Sequence, residues 1–387
     1  MKTTLLTVAL MGGLFGVAQA EAAVTLYGVL DGGIGYRKVS GTVNRGDTPK
    51  TAAQNIDGKR FGIINGMQSS NRWGLKGSED LGSGVRAVFV LESGFDLTVG
   101  TRMQRNRLFG RQATLGLASD SWGRLELGRQ TNMSSKYLGT IDPFMPGFDQ
   151  ANIGAAFTAA NTVRYDNMVL YQTPDFSGFQ LGVGYSFNAD GEQFADADAI
   201  DPVTGSVVGN TKDLNKKAIT AGMRYTNGPL NTALTYEQMK SGFTGSADGS
   251  NVTIKSWSLA GSYDFEVIKL VLAFGQTRNG LFLSQYNLAT IPFYGVPGLK
   301  VNSYLAGFTA PIGKGRLLAS WTMADPRDNP DNTGGQSYDG QQTYSLGYTY
   351  NLSKRTNVYA VGSYTKHVDF LPDAKSTLIG MGLRHQF

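Results

Sequence analysis

Thr377-Leu378-Ile379-Gly380-Met381-Gly382-Leu383-Arg384-His385-Gln386-Phe387 closes the chain, and its alternation decides the fold. Ile379, Met381, Leu383 and Phe387 share one face of an extended segment, while Gly380, Gly382, Arg384 and Gln386 share the other. One face suits lipid and the other water, the pattern of a strand in a membrane barrel. The expectation is that the chain ends inside a closing strand, with Phe387 at the closure.

The opposite end carries a complementary signal. Lys2 precedes an apolar run from Leu5 to Val17 and the small-x-small pattern Ala18-Gln19-Ala20. Together these read as an export signal over 1–20 rather than a membrane helix. A single barrel domain over 21–387 is expected to follow, and losing the signal lowers the net charge from +5 to +4. No later stretch reaches the roughly twenty apolar residues that a membrane helix needs, whereas short-period alternation is abundant. In hydrocarbon only helices and closed barrels satisfy their backbone groups, so export followed by alternating strands points to the outer membrane. The 51 glycines, 20 phenylalanines and 18 tyrosines fit a barrel without excluding a secreted sandwich. With no cysteine, disulfides are excluded as a source of stability.

Working inward from both ends, strands are expected at 24–31, around 71–77, 85–91, 111–117, 124–130, 162–171 and 179–187, and then in pairs to the closing segment. The stretch after 31 is polar through residue 60 and reads as an outer loop. Phe179, Leu181, Val183, Tyr185 and Phe187 form the clearest apolar face. The count is sixteen, an even number that leaves both ends on one side of the membrane. Turns such as Ser78–Gly84 and Asn351–Thr356 are short, whereas 188–215, 278–299 and 326–339 are long and polar. Tyr27, Tyr171, Tyr185, Tyr225, Tyr263, Tyr344, Tyr350 and Tyr359 lie near strand ends, as girdles at the headgroups require.

The segment 131–160 does not fit a solvated outer loop. Tyr137, Leu138, Ile141, Phe144, Met145, Phe148, Ile153 and Phe157 all need cover. A wide barrel offers it if the loop folds inward against the wall and narrows the lumen, with Pro143, Pro146 and Gly147 permitting sharp changes of direction. Asp142 and Asp149 are then expected to present negative charge, opposed by wall arginines in a field stronger than in bulk water. Arg72, Lys76 and Arg164 have lumen parity. Arg111 shares its parity with Ala113, Leu115 and Leu117, and Arg129 with Leu125 and Leu127, so pattern alone leaves both directions open.

Other chemistries find little support. His367 and His385 are the chain's two histidines and neither has an identified serine partner, so no enzyme is expected. No cofactor is implied, and without cysteines or paired histidines a zinc site is not. Asp325, Asp328, Asp331 and Asp339 read as a solvated acidic loop rather than a calcium site. Scattered basic residues make no nucleic-acid footprint; exposed ones suit lipopolysaccharide phosphates.

The chain resembles the trimeric general diffusion porins of Gram-negative bacteria, in the beta-proteobacterial and neisserial group. The resemblance rests on Val24-Thr25-Leu26-Tyr27-Gly28, the run from Arg72-Trp73-Gly74-Leu75-Lys76-Gly77 to Gly82, Arg111-Gln112-Ala113, Gly128-Arg129, Thr162-Val163-Arg164-Tyr165-Asp166, the run from Tyr350 to Thr356, and the Gly382 to Phe387 ending. It implies sixteen all-β antiparallel strands, a homotrimer, and a third loop in the lumen whose carboxylates face wall arginines, with Arg72 and Arg111 at basic positions. It also implies passive permeation of small hydrophilic solutes and inorganic ions. This chain departs from enterobacterial relatives in placing Gly147, not glutamate, between Pro146 and Phe148, and in having Val29 at a lumen lysine position. Its Phe157-Thr158-Ala159-Ala160 run also lacks an arginine that many closer relatives carry. These departures weaken the filter in both signs, and the positive net charge with few loop acids leads to the expectation of a moderate anion preference; a substrate-selective channel is the main competing reading, followed by an adhesin or receptor barrel.

Overall fold

The computed structural model describes residues 23–43, 54–193, 198–200, 205–210, 214–240, 252–286, 296–328 and 338–387. The export signal over 1–20 lies outside the described residues. The first half of the wall comprises β1 (Ala23–Val43), β2 (Gln54–Asn65), β3 (Arg72–Asp80), β4 (Val85–Gly94), β5 (Gln112–Ser119), β6 (Gly123–Thr131), β7 (Arg164–Gln172) and β8 (Phe179–Ser186). A small hairpin of β9 (Asp198–Ile200) and β10 (Val207–Asn210) stands apart from the wall. The second half comprises β11 (Ala218–Asn227), β12 (Leu230–Lys240), β13 (Thr253–Asp264), β14 (Lys269–Arg278), β15 (Lys300–Ile312), β16 (Gly315–Asp328), β17 (Gln341–Asn351), β18 (Thr356–Lys366) and β19 (Lys375–Gln386).

Neighbouring strands pair antiparallel throughout, and β19 returns to β1 in continuous register from Val29↔Gln386 to Ser40↔Lys375. β2 and β3 both lie on the other side of β1, β2 against Gly32 to Val43 and β3 against Ala23 to Val29. They are two lengths of one interrupted strand. The wall is therefore a sixteen-stranded antiparallel barrel, closed so that no edge meets lipid. At the closure Gly28 N donates to the Phe387 carbonyl at 3.0 Å and Phe387 N donates to the Gly28 carbonyl at 3.2 Å.

Alternation orients the wall. In β13 Trp257, Leu259 and Tyr263 face outward, while Ser256, Ser258, Ala260 and Ser262 are buried on the inside. Phe179, Leu181, Val183, Tyr185 and Phe187 are all exposed, as are Ile379, Met381 and Leu383 of the closing strand. These make the outer apolar band.

Three sequence expectations need correction. The polar stretch read as loop after 31 through residue 60 is strand over 32–43, where β1 continues, and again from Gln54, because Asp57, Lys59 and Arg60 pair with Ser40, Lys38 and Arg37 in an arm with polar groups that hydropathy does not register. The loop after β14 does not stay outside: Leu281, Phe282 and Tyr286 are buried, with Phe282 N donating to Thr158 Oγ1 of the inner loop at 3.2 Å. Tyr27 and Tyr359 leave the proposed girdle, since their hydroxyls donate inward to Glu92 (3.0 Å) and Asp31 (2.5 Å). Of the acidic cluster near residue 330, Asp325 pairs with Arg327 and Asp328 with Lys300; Asp331 lies outside the described residues. His367 lies between the Gly340 carbonyl, 3.0 Å from its Nδ1, and the Asp339 carboxylate, 4.0 Å from its Nε2, while His385 Nδ1 is 2.9 Å from Thr356 Oγ1.

Deleting Phe387 removes both closure hydrogen bonds beside an otherwise intact ladder, each worth about 0.5–1.5 kcal/mol. The truncated chain is expected to unfold at lower temperature than the full chain in a heat-modifiability gel, while Phe387→Leu, which keeps the backbone pair, retains most of the stability.

Candidate pore constriction

The inner loop starts where β6 ends. Asn132 caps a short helix, α1 (Met133–Leu138), by accepting from Ser135 N at 3.1 Å. The amides at its start point at β11 and β12: Met133 N donates to Thr220 Oγ1 at 2.7 Å and Ser134 N to Glu237 Oε1 at 2.9 Å. Further on, Gln150 Nε2 donates to the Ser363 carbonyl (3.0 Å), Ser303 Oγ to the Ala156 carbonyl (2.8 Å) and Gln341 Nε2 to the Ala155 carbonyl (2.5 Å). The loop thus runs along the inside of β11 to β19. Tyr137, Leu138, Ile141, Phe144, Phe148, Ile153 and Phe157 are buried against that wall; Met145, 62% exposed, is the exception.

On the wall formed by β3 to β7 the basic residues gather about two carboxylates, Glu92 and Asp166. Arg111 Nε lies 2.7 Å from Glu92 Oε1 and Arg72 Nε 3.4 Å from Glu92 Oε2, which also accepts from Tyr27. Arg111 turns inward despite its parity because β5 begins only at Gln112. Its amide donates to the Glu92 carbonyl at 3.1 Å, and the side chain follows that edge rather than strand alternation. Arg164, first residue of β7, donates to the Thr162 carbonyl at 3.1 Å and lies within the field of Arg72, Arg111, Arg129 and Glu92. Across a bulge between Gly128 and Gln130, Arg129 Nη1 donates to Asp166 Oδ1 at 2.5 Å, and Arg107 Nη1 donates to both oxygens of the same carboxylate at 2.8 Å.

The sequence-predicted residues divide. Lys76 is not among this group: it sits nearer the short turn, exposed, with its ammonium 5.4 Å from the Tyr27 ring centre, because four residues of extended chain separate it from Arg72 by roughly 13 Å. Asp142 presents no charge to the lumen. It is 3% exposed, and its oxygens accept from Phe144 N (3.1 Å) and Ile153 N (2.8 Å), tying two limbs of the loop together. Burial, partly opposed by those amides and by Lys269, pushes its carboxyl up to about 7. Asp149 does reach the lumen wall, where it pairs with Arg37 of β1. Phe148 is buried edge-on between Phe144 and Tyr359, ring centres 5.5 and 5.6 Å away, and Pro146 is exposed at the tip. Gly147 sits where an added Cβ would lie 1.9 Å from the Gln68 carbonyl oxygen, so no larger residue fits without displacement.

Sequence reasoning passed over Glu92 and Arg37. Glu92 had a signal, an acid directly after the apolar run Ala87 to Leu91 of β4; Arg37 had none beyond its parity with Asp31.

A closed sixteen-stranded barrel with charged groups facing an inserted loop defines a diffusion channel of the outer membrane. The chain belongs to the Gram-negative porin family, whose profile matches residues 6–369. It is 52% identical over 400 aligned positions to an outer membrane porin protein of Bordetella pertussis, covering 100% of both chains. It is 31% identical to outer membrane porin protein 32 of Delftia acidovorans, over 95% of this chain and 91% of that one. Among solved structures it is similar to an anion-selective porin from Comamonas acidovorans, with a TM-score of 0.66, 25% identity, and coverage of 95% of this chain and 100% of that one.

The Asp142 tie yields a signed pH dependence. A carboxyl near 3.8 when the loop is open and about 7 when docked binds more protons in the docked state, so docking is strongest below about pH 4 and weakens as pH rises through 7. Hydrogen exchange at the Phe144 and Ile153 amides, corrected for intrinsic rates, is expected to show less protection at pH 8 than at pH 5. Asp142→Ala, which strands both amides, is expected to lower the loop's opening free energy by about 2–5 kcal/mol.

Proposed function

We propose that the mature chain, exported by its 1–20 signal, assembles as a homotrimer of water-filled pores for small hydrophilic solutes, with a moderate preference for anions. Permeation is passive, down the solute gradient, with no chemical step. The observation that carries the charge preference is the balance at the constriction. Arg37, Arg72, Arg111 and Arg164 stand against the carboxylates of Glu92 and Asp149, each already engaged by an arginine, and the neighbouring Asp166 is held by Arg107 and Arg129. Fixed positive charge in a narrow, low-dielectric passage raises the local anion concentration and repels cations. The anion-selective Comamonas porin, similar in fold, supports the same reading. Support for trimerisation comes from the outer face about β1 to β5, where Ile34, Phe61, Ile63, Leu115 and Leu117 are exposed and Leu97 of the loop between β4 and β5 folds over Gly32.

Planar-bilayer recording across a tenfold KCl gradient tests both parts. Insertion is expected in groups of three conductance steps with a reversal potential on the chloride side. Glu92→Gln, which removes one of the two carboxylates, is expected to raise the chloride-to-potassium permeability ratio on the order of twofold, and Arg72→Gln to lower it. A potassium-side reversal potential in the unaltered protein would sink the anion reading, and saturating, competitive uptake would favour a substrate-selective channel.

A further inference from the structure

The wall between β2 and β3 uses residues 66–71 where β1 advances only through Leu30 and Asp31. This surplus is a built element. Gly66 turns at φ 59°, and its amide donates to the Asp31 carbonyl at 3.0 Å. The Asn71 side chain then stands in for the missing ladder partner, its Oδ1 accepting from Asp31 N at 2.6 Å and its Nδ2 donating to the Asp31 carbonyl at 2.7 Å. The Asp31 carboxylate accepts from Ser69 N at 2.7 Å and from Tyr359, and Arg384 Nε donates to Ser69 Oγ at 2.8 Å. Met67, 1% exposed, packs over Gly33 and Gly380, inside the barrel.

Such anchoring directs the middle of the segment at the tip of the inner loop. Gln68 Oε1 accepts from Asn357 Nδ2 at 2.7 Å, fixing the side chain against β18. Its carbonyl oxygen occupies the space where Gly147 would carry a Cβ. Behind the tip, Asn152 Nδ2 donates to the Gly147 carbonyl at 2.9 Å, and the Arg37–Asp149 pair joins the loop to the same side of the barrel. Met67, Phe144 and Phe148 share one buried cluster with Tyr359 and Leu378, so the wall segment and the loop have a common apolar core.

We propose that the inward segment 66–71 is a second jaw of the constriction, and that Gln68 is a positioning residue that clasps the loop tip at Gly147. Glycine is required at 147 for this approach. The clasp holds the tip against β1 to β3 and β18 and confines solute to the space bounded by Arg72, Arg111 and Arg164. The inference rests on the channel reading but not on its charge preference, which the reversal potential tests separately.

Gly147→Ala forces the tip off Gln68, and Asn357→Ala releases the Gln68 side chain without touching the loop. Single-channel conductance is expected to rise on the order of 1.5-fold in Gly147→Ala, with more open-channel noise, and by less in Asn357→Ala. Thr140→Ala, at an exposed position on the same loop away from the clasp, is expected to match the unaltered protein. Folding of each variant is read from its heat-modifiable gel shift. A folded Gly147→Ala with unchanged or reduced conductance and unchanged noise overturns the clasp, since the methyl would then merely occupy a free lumen. If that variant fails to fold, unchanged conductance and noise in Asn357→Ala overturn it.

Discussion

A backbone in hydrocarbon has no water to bond, and this constraint governs the rest of the molecule. Each wall strand must find two neighbours, so the register of β1 against β19 and the pairing of Gly28 with Phe387 complete the barrel rather than trim its end. The rule also explains the care taken where the ladder fails. Opposite 66–71, the Asp31 N–H would be left unpaired inside the wall, and the Asn71 side chain accepts from it while joining the Gly66 amide as a second donor to the Asp31 carbonyl. An asparagine side chain matches a peptide group in shape and polarity; few other residues would close that gap.

Closure creates a second problem inside. Sixteen strands enclose a lumen too wide for side chains alone to fill, and the inner loop fills one side of it. Its apolar residues are buried against β11 to β19, while its carbonyls accept from wall serines and glutamines. The described part of the loop after β14 adds Leu281 and Phe282 to the same core. Half of the barrel is thus packed like the interior of a soluble protein, and the water path is left to the side carrying Arg72, Arg111 and Arg164.

Legibility in the sequence followed the strength of local periodicity. The faces of 179–187 and of the closing strand were readable because lipid on one side and polar groups on the other impose a period of two over many residues. Where both faces meet water the signal vanishes, as in the polar pairing of Arg37, Lys38 and Ser40 with Arg60, Lys59 and Asp57 that hid β2. Arg111 was undecidable because alternation holds within a strand and it stands one residue outside. The excursion 66–71 carries no sequence signal of its own, since nothing local distinguishes a bend that leaves the wall from one that enters the lumen. Asp142 differs from its sequence reading for a related reason: it is buried because its carboxylate joins two limbs of its own loop through the Phe144 and Ile153 amides, a pairing that no local pattern announces.

Gly147 shows how one substitution can alter an electrostatic site through packing. Read as a sequence position, it is a place where a carboxylate of enterobacterial relatives is missing. In the structure the position has no room for any side chain, because the Gln68 carbonyl lies where the Cβ would be. A loop that closes onto an inward wall segment at its tip cannot also project an acid from that point. The loop's lumen carboxylate, Asp149, two residues after Gly147, is neutralised by Arg37 of β1. The charge at the constriction is therefore set by the wall, where one glutamate serves two arginines, and the positive excess follows from how the loop is held as much as from which residues it carries.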